Sequence, residues 1–182
     1  MERTRGLAVQ ARLNFFMKPL FAISLMQFPL ADQWDKPVQW EKFNGVPKVL
    51  ILSGRNSGIH GRDWGAYIAA KFNPGFLPQA THLQEISPLE KIKVVAVAAL
   101  PDVPGMFKYL FRAGFRKESK TMGLALDFSS SLSKQFSFEE KQENPKIVLI
   151  SPKGEKLGEF EGKVSDEKLV AEVNSAVSKL LK

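Results

Sequence analysis

Ser57, His60 and Asp63 stand at three-residue steps in Ser57-Gly-Ile-His-Gly-Arg-Asp63, and their types match a nucleophile, a base and an orienting acid. The spacing works against that use. Steps of three wind around a helix, so the third group does not come to face the first, and no oxyanion hole is signalled. The competing reading makes Ser57 the N-cap of a helix and His60 a solvated or core-edge residue. The surrounding Gly54-Arg-Asn-Ser-Gly-Ile-His-Gly61 has the glycines of a phosphate loop but lacks the Gly-Lys-Ser/Thr ending that supplies the lysine and the metal-binding hydroxyl. A helix N-terminus with Arg55 and Arg62 beside it would suit a carboxylate or phosphate. Glycines that merely permit tight turns account for the same residues. Cysteine is absent from all 182 residues, which removes disulfides, iron–sulfur clusters, cysteine-based zinc sites and thiol nucleophiles. With His60 and His82 as the only histidines, no metal centre is expected.

Charge supplies the second set of candidates. The net charge is +7, and two stretches hold all of it. Residues 1–18 carry Arg3, Arg5, Arg12 and Lys18 against Glu2, a net +3, and residues 103–121 carry Lys108, Arg112, Arg116, Lys117 and Lys120 against Glu118, a net +4. Lys108, Arg112 and Arg116 follow at four-residue steps and form a ridge beside an apolar face of Phe107, Leu110, Phe111 and Phe115. This ridge is a candidate partner-binding surface for an acidic protein or an anionic membrane, or else the solvated side of a surface helix. No basic stripe interleaved with stacking aromatics is present, so nucleic acid is not an expected partner.

The elements that must position these residues follow from periodicity. Residues 1–24 form a basic, then apolar leader, read either as a secretory signal peptide or as a disordered extension. Lys18 and Pro19 interrupt its apolar stretch, so a membrane-spanning helix is not expected, and Met17 is an alternative start. Phe28–Trp40 reads as a hairpin of two short extended segments around a polar turn at 32–36. Lys48–Leu52, Lys93–Leu100 and Lys146–Ser151 are unbroken apolar runs of the kind that form central strands covered on both faces. Met122–Asp127 adds a short strand, and Pro152–Glu155 turns into a return strand at 156–162. Helical stripes lie at Trp64/Ile68/Phe72, over 104–117, and at Leu169/Val173/Ala176/Val177/Leu180, with a Ser-capped turn at 129–136. Asn73–Glu90, with three prolines, reads as a long loop. Alternating strands and helices imply a single α/β domain at 25–182 with a mixed sheet flanked by helices on both faces.

The opening phrase Phe28-Pro-Leu-Ala-Asp-Gln-x-x-Lys-Pro-Val38 and the closing unit resemble the thioredoxin-like fold in its redoxin form, the alkyl hydroperoxide reductase/thiol-specific antioxidant group. That closing unit is Asn144-Pro145, a strand, a Lys-Gly hairpin and a last amphipathic helix. Val49-Leu-Ile-Leu-Ser-Gly-Arg-Asn-Ser57 and Leu124-Ala-Leu-Asp127 are similar to the YtfJ family of small proteins of bacterial periplasms. The resemblance spans about residues 25–181.

The resemblance implies an active-site turn after the strand at 49–52 and puts Ser57-Gly58-Ile59-His60 on the Cys-x-x-Cys position. Gly58 is kept, both cysteines are missing, and Ile59 replaces the usual proline. The helix dipole and free N–H groups that stabilise a thiolate cannot make a serine hydroxyl a redox centre. Thiol–disulfide exchange and cysteine-based peroxidase chemistry are therefore excluded. The resemblance also implies that Pro145 is cis and faces the turn, with Asn144 pairing an extended peptide. The expectation is a redox-inactive, periplasmic or else cytoplasmic binding module. It has no cofactor and no catalytic residue, and a peptide or protein partner sits in a groove framed by Ser57, Gly58, His60, Asn144 and Pro145. The alternatives are a redoxin antioxidant in name by homology only, and a cysteine-independent enzyme at Ser57/His60.

Overall fold

The computed structural model describes residues 24–75, 83, 87–100, 103–118 and 123–182. The leader up to Ile23, His82 and most of the loop between Gly75 and Ser87 lie outside the described residues. The elements are β1 (Ala31–Asp32), β2 (Lys48–Ser53), α1 (Gly58–Phe72), β3 (Lys93–Ala99), α2 (Gly105–Glu118), β4 (Leu124–Asp127), α3 (Ser131–Gln135), β5 (Lys146–Ile150), β6 (Lys156–Glu161) and α4 (Glu167–Leu180). Short 3₁₀ turns at Leu25–Gln27 and Trp40–Phe43 precede β2.

The three apolar runs form the middle of one six-stranded sheet in the order β1-β4-β3-β2-β5-β6. Every residue of β2, β3 and β5 is buried, as unbroken apolar strands require. β2 runs parallel to β3, with Lys48 opposite Lys93, and antiparallel to β5, with Leu52 opposite Lys146. β6 is a half-exposed edge and β1 is a two-residue edge on β4.

Alternate residues of the central strands feed two cores. Val49, Ile51, Val94, Ile147 and Leu149 pack against α1 through Trp64, Ile68 and Phe72 and against α4 through Val173 and Val177. Leu50, Leu52, Val95, Val97 and Val148 face the other way, where Trp40, Phe43, Leu132 and Phe136 cover them. Helices therefore flank both faces: α1 and α4 on one, and α3 with the two 3₁₀ turns on the other. Trp64 also donates its indole N–H to the Gly162 carbonyl at 2.8 Å, tying α1 to the end of β6.

Three local expectations change. The segment at 28–40 does turn back at Asp32–Lys36, where the Asp32 carboxylate accepts from the Trp34 and Lys36 N–H groups. It does not become a regular hairpin, and a single bridge joins Ala31 to Pro37. Around that bridge the Val38 N–H donates to the Leu30 carbonyl and the Asp32 N–H to the Lys36 carbonyl. The turn at α3 is capped by Asp127, whose buried carboxylate accepts from the Ser131 and Ser133 N–H groups and the Ser133 hydroxyl. Ser130, at the N-cap position, makes no side-chain cap, while the Ser129 hydroxyl shares the Ser131 N–H at 3.3 Å. The Asn144–Pro145 peptide is trans, since no peptide bond among the described residues is cis.

Candidate functional site

β2 ends at Ser53, and the next four residues lead into α1. Gly54 lies directly against the backbone of Glu140: a Cβ added there would sit 1.8 Å from the Glu140 carbonyl oxygen, so only glycine fits. The same carbonyl accepts the Arg55 N–H at 2.9 Å. Asn56 continues the seam, its Nδ2 donating to the Lys141 carbonyl at 3.0 Å and to Glu143 Oε1 at 3.2 Å. Residues 140–143 are thus strapped across the turn.

The strap is anchored at its base. Lys146, at the start of β5, donates Nζ to the Phe136 and Ser137 carbonyls at 2.8 and 3.1 Å. The Gly162 N–H donates to the Pro145 carbonyl at 3.3 Å. Because Leu52 is opposite Lys146 in the ladder, Pro145 follows at the level of Ser53. The turn and Pro145 thus share one end of the sheet.

Ser57 occupies the N-cap position of α1 but makes no side-chain cap. Its hydroxyl instead accepts the Gly54 N–H at 3.0 Å, closing the turn on itself, and the residue is fully buried. The expected N-cap is corrected accordingly. His60 is partly exposed, and its Nδ1 faces Asp63 Oδ2 at 3.9 Å. The Ser57 hydroxyl oxygen thus serves as an acceptor within the turn, and the His60 imidazole lies beside the Asp63 carboxylate. Gly61 brings α1 close to β2, since a Cβ there would meet the Ser53 side chain at 2.7 Å.

Of the five residues expected to frame a groove, Ser57 and Pro145 are buried, Gly58 is exposed, and His60 and Asn144 are partly so. The most prominent side chain on this rim was not among them. Ile59 is 70% exposed in the first turn of α1. Its signal was its place in the motif, an apolar residue where the pattern has proline. Among the described residues no three His, Asp or Glu side chains converge as a metal site would need.

The second candidate surface is α2. Lys108 and Arg112 do not stand clear of the body: their cationic ends lie 5.4 and 5.3 Å from the centroid of the Phe128 ring. Arg112 also pairs with Asp35. Of the three ridge residues, Arg116 is the exposed one. The apolar stripe turns correspondingly outward. Phe115 is partly buried and Phe111 meets Phe128 edge-on, whereas Phe107 and Leu110 face solvent. Against the reading of the ridge as a solvated side, Lys108 and Arg112 are partly buried. The Phe128 ring thus receives two of the cations as well as the edge of Phe111.

At the opposite end of the sheet Lys48 is buried, and its Nζ donates to the Val46 carbonyl at 2.9 Å. Burial holds this ammonium below its ordinary value. It borders an open cleft of about 420 Å³ lined by Leu25, Met26, Trp40, Asn44 and Lys153.

No protein-family model matches the sequence, and no curated protein matches it. Solved structures do. The exposed lipoprotein thioredoxin Etrx1 of Streptococcus pneumoniae is 13% identical, with a TM-score of 0.55 over 82% of this chain and 96% of that one. A thiol:disulfide interchange protein DsbE from Chlorobium tepidum, described as putative, is also 13% identical, with a TM-score of 0.55 over 84% and 92%. Peroxiredoxin Q of Xanthomonas campestris is 14% identical, with a TM-score of 0.55 over 85% and 92%. The chain has the thioredoxin-like fold, and it has it without a cysteine.

Proposed function

We propose that this chain is a binding module in which the thioredoxin-like scaffold serves recognition rather than thiol chemistry. Its partner is an extended peptide or a protein, held on the rim made by Gly58, Ile59, His60 and Asn144 above the buried Ser57 and Pro145. The observation that carries this reading is Ile59. A large apolar side chain stands 70% exposed on a turn whose polar groups beneath it are bonded to one another and to the strap. A rigid platform presenting one apolar anchor costs little ordering entropy when it binds, which is what a recognition surface needs. The basic-then-apolar leader supports a place in a bacterial envelope, and the phrases shared with the YtfJ-type redoxins support that branch of the fold.

The test uses a photo-reactive benzophenone side chain placed at Ile59, with Lys168 on α4 as the control position, in cells of the native host. A discrete adduct at position 59, absent at 168 and lost when His60 and Asn144 are replaced by Ala, is the expected result. Envelope fractionation of the same cells reports the compartment. Equal labelling at both positions, or insulin reduction by the cysteine-free chain, overturns the reading.

A further inference from the structure

The outward face of α2 has no partner among the described residues. At about 3.6 residues per turn, Lys108, Arg112 and Phe115 share the arc that meets Phe128 and its neighbours. The opposite arc carries Met106, Phe107, Leu110, Gly114 and Lys117. Met106 is 74% exposed, Leu110 50% and Phe107 47%, with Tyr109 exposed beside them. Leaving that much apolar surface in water on one helix is a standing cost unless something covers it.

Charge and shape identify the cover. α2 holds four basic residues, and its one acidic residue is Glu118 at its end. Arg116 and Lys117 are exposed in the last turn, Arg116 at the margin of the apolar arc and Lys117 at its C-terminal end. A second copy docking by this face would bring two net-positive helices together, which is electrostatically unfavourable. The face holds an open hollow of about 390 Å³ between Leu110, Phe111, Gly114 and Phe115, and acyl chains, being fluid, can fill such a hollow without a shape-matched partner. An exposed apolar helix face flanked by Lys and Arg, with an aromatic hydroxyl at its edge, suits the boundary between headgroups and chains.

We infer that α2 is a peripheral membrane-docking element that lays Met106, Phe107 and Leu110 into the surface of an anionic bilayer, with Arg116 and Lys117 on the headgroups. No helix among the described residues is long and apolar enough to cross a membrane, so the contact is interfacial. The inference does not depend on the rim at Ile59.

The absence of cysteine makes the test clean, because one introduced thiol carries one label. The full chain with Leu110→Cys is labelled with an environment-sensitive nitrobenzoxadiazole dye, and Lys168→Cys serves as the control. Mixed phosphatidylglycerol/phosphatidylcholine vesicles should shift the emission at position 110 to the blue, with no change at 168 and none on pure phosphatidylcholine. Adding Arg116→Glu and Lys117→Glu should weaken the response about tenfold, since each basic residue at an anionic surface is worth a several-fold factor. Because the label reports on α2 itself, any binding through the leader leaves it silent. A label that stays aqueous on anionic vesicles overturns the inference. So do an equal response on neutral vesicles, a shift that grows with protein concentration without lipid, and a shift produced by an acidic protein in place of lipid.

Discussion

The turn after β2 and the helix α2 solve opposite problems with the same kinds of residue. In the turn, polar groups bond to one another and to the strap: Gly54 N–H on Ser57, Arg55 N–H on Glu140, Asn56 on Lys141 and Glu143. In α2 two of the four cations lean onto Phe128 while Met106, Phe107 and Leu110 are left outside. One region spends its polar groups on packing, and the other leaves apolar surface uncovered. The place where thioredoxin-like proteins would be read for chemistry is therefore the more closed of the two, and the more open one has no chemical group that would attract notice.

The largest effect should come from closing the gap that only glycine leaves. Gly54→Ala forces its Cβ into the Glu140 carbonyl, and the strap must shift. A loss of about 3 kcal/mol in urea denaturation is expected, and a neutral substitution would mean that the strap is not seated. Next, Ser57→Cys and Leu110→Cys compare the two regions directly. Native-state alkylation at position 57 should run at least about a hundredfold slower than at 110, because a buried thiol reacts only through local opening. Similar rates would erase the contrast.

A smaller effect concerns pH. Lys48 is held below its ordinary value of 10.5 by burial, so between its folded value and 10.5 the unfolded chain binds a proton that the folded chain lacks. Stability contributed by this site should therefore rise with pH through that window and be lower beneath it. Lys48→Met should flatten the rise relative to the unaltered chain, and an unchanged slope would move the effect to another group. Smallest of all, Phe107→Ser with Leu110→Ser should alter stability by no more than about 0.5 kcal/mol, the usual range for surface positions. A large loss would show that the outward arc of α2 is packed after all.

What the sequence revealed and what it hid divide along physical lines. The runs at Lys48–Leu52, Lys93–Leu100 and Lys146–Ser151 were legible because a strand buried on both faces has no polar alternation to blur it. The four-residue steps of Trp64, Ile68 and Phe72 were legible because α1 buries one simple stripe. The strap was not legible. It joins backbone groups of Gly54 and Glu140, far apart in the chain, and a backbone contact leaves no trace beyond a glycine that a turn would explain equally well. Ser57 was misjudged because a serine before a helix nearly always looks like a cap, whereas its acceptor oxygen here serves the turn. The orientation of α2 was hidden for another reason. Periodicity identifies the stripe but not what faces it, and one aromatic ring outside the helix, Phe128, decides the question.

The two margins of the sheet carry a last implication. One rim is a two-residue strand beside a proline, and the other sets Lys156, Glu159 and Glu161 along a half-exposed strand. Neither offers the long, flat, uncharged ladder on which chains stack into fibrils. Growth by strand addition is closed off at both sides, so crowding this protein should leave its β-structure finite.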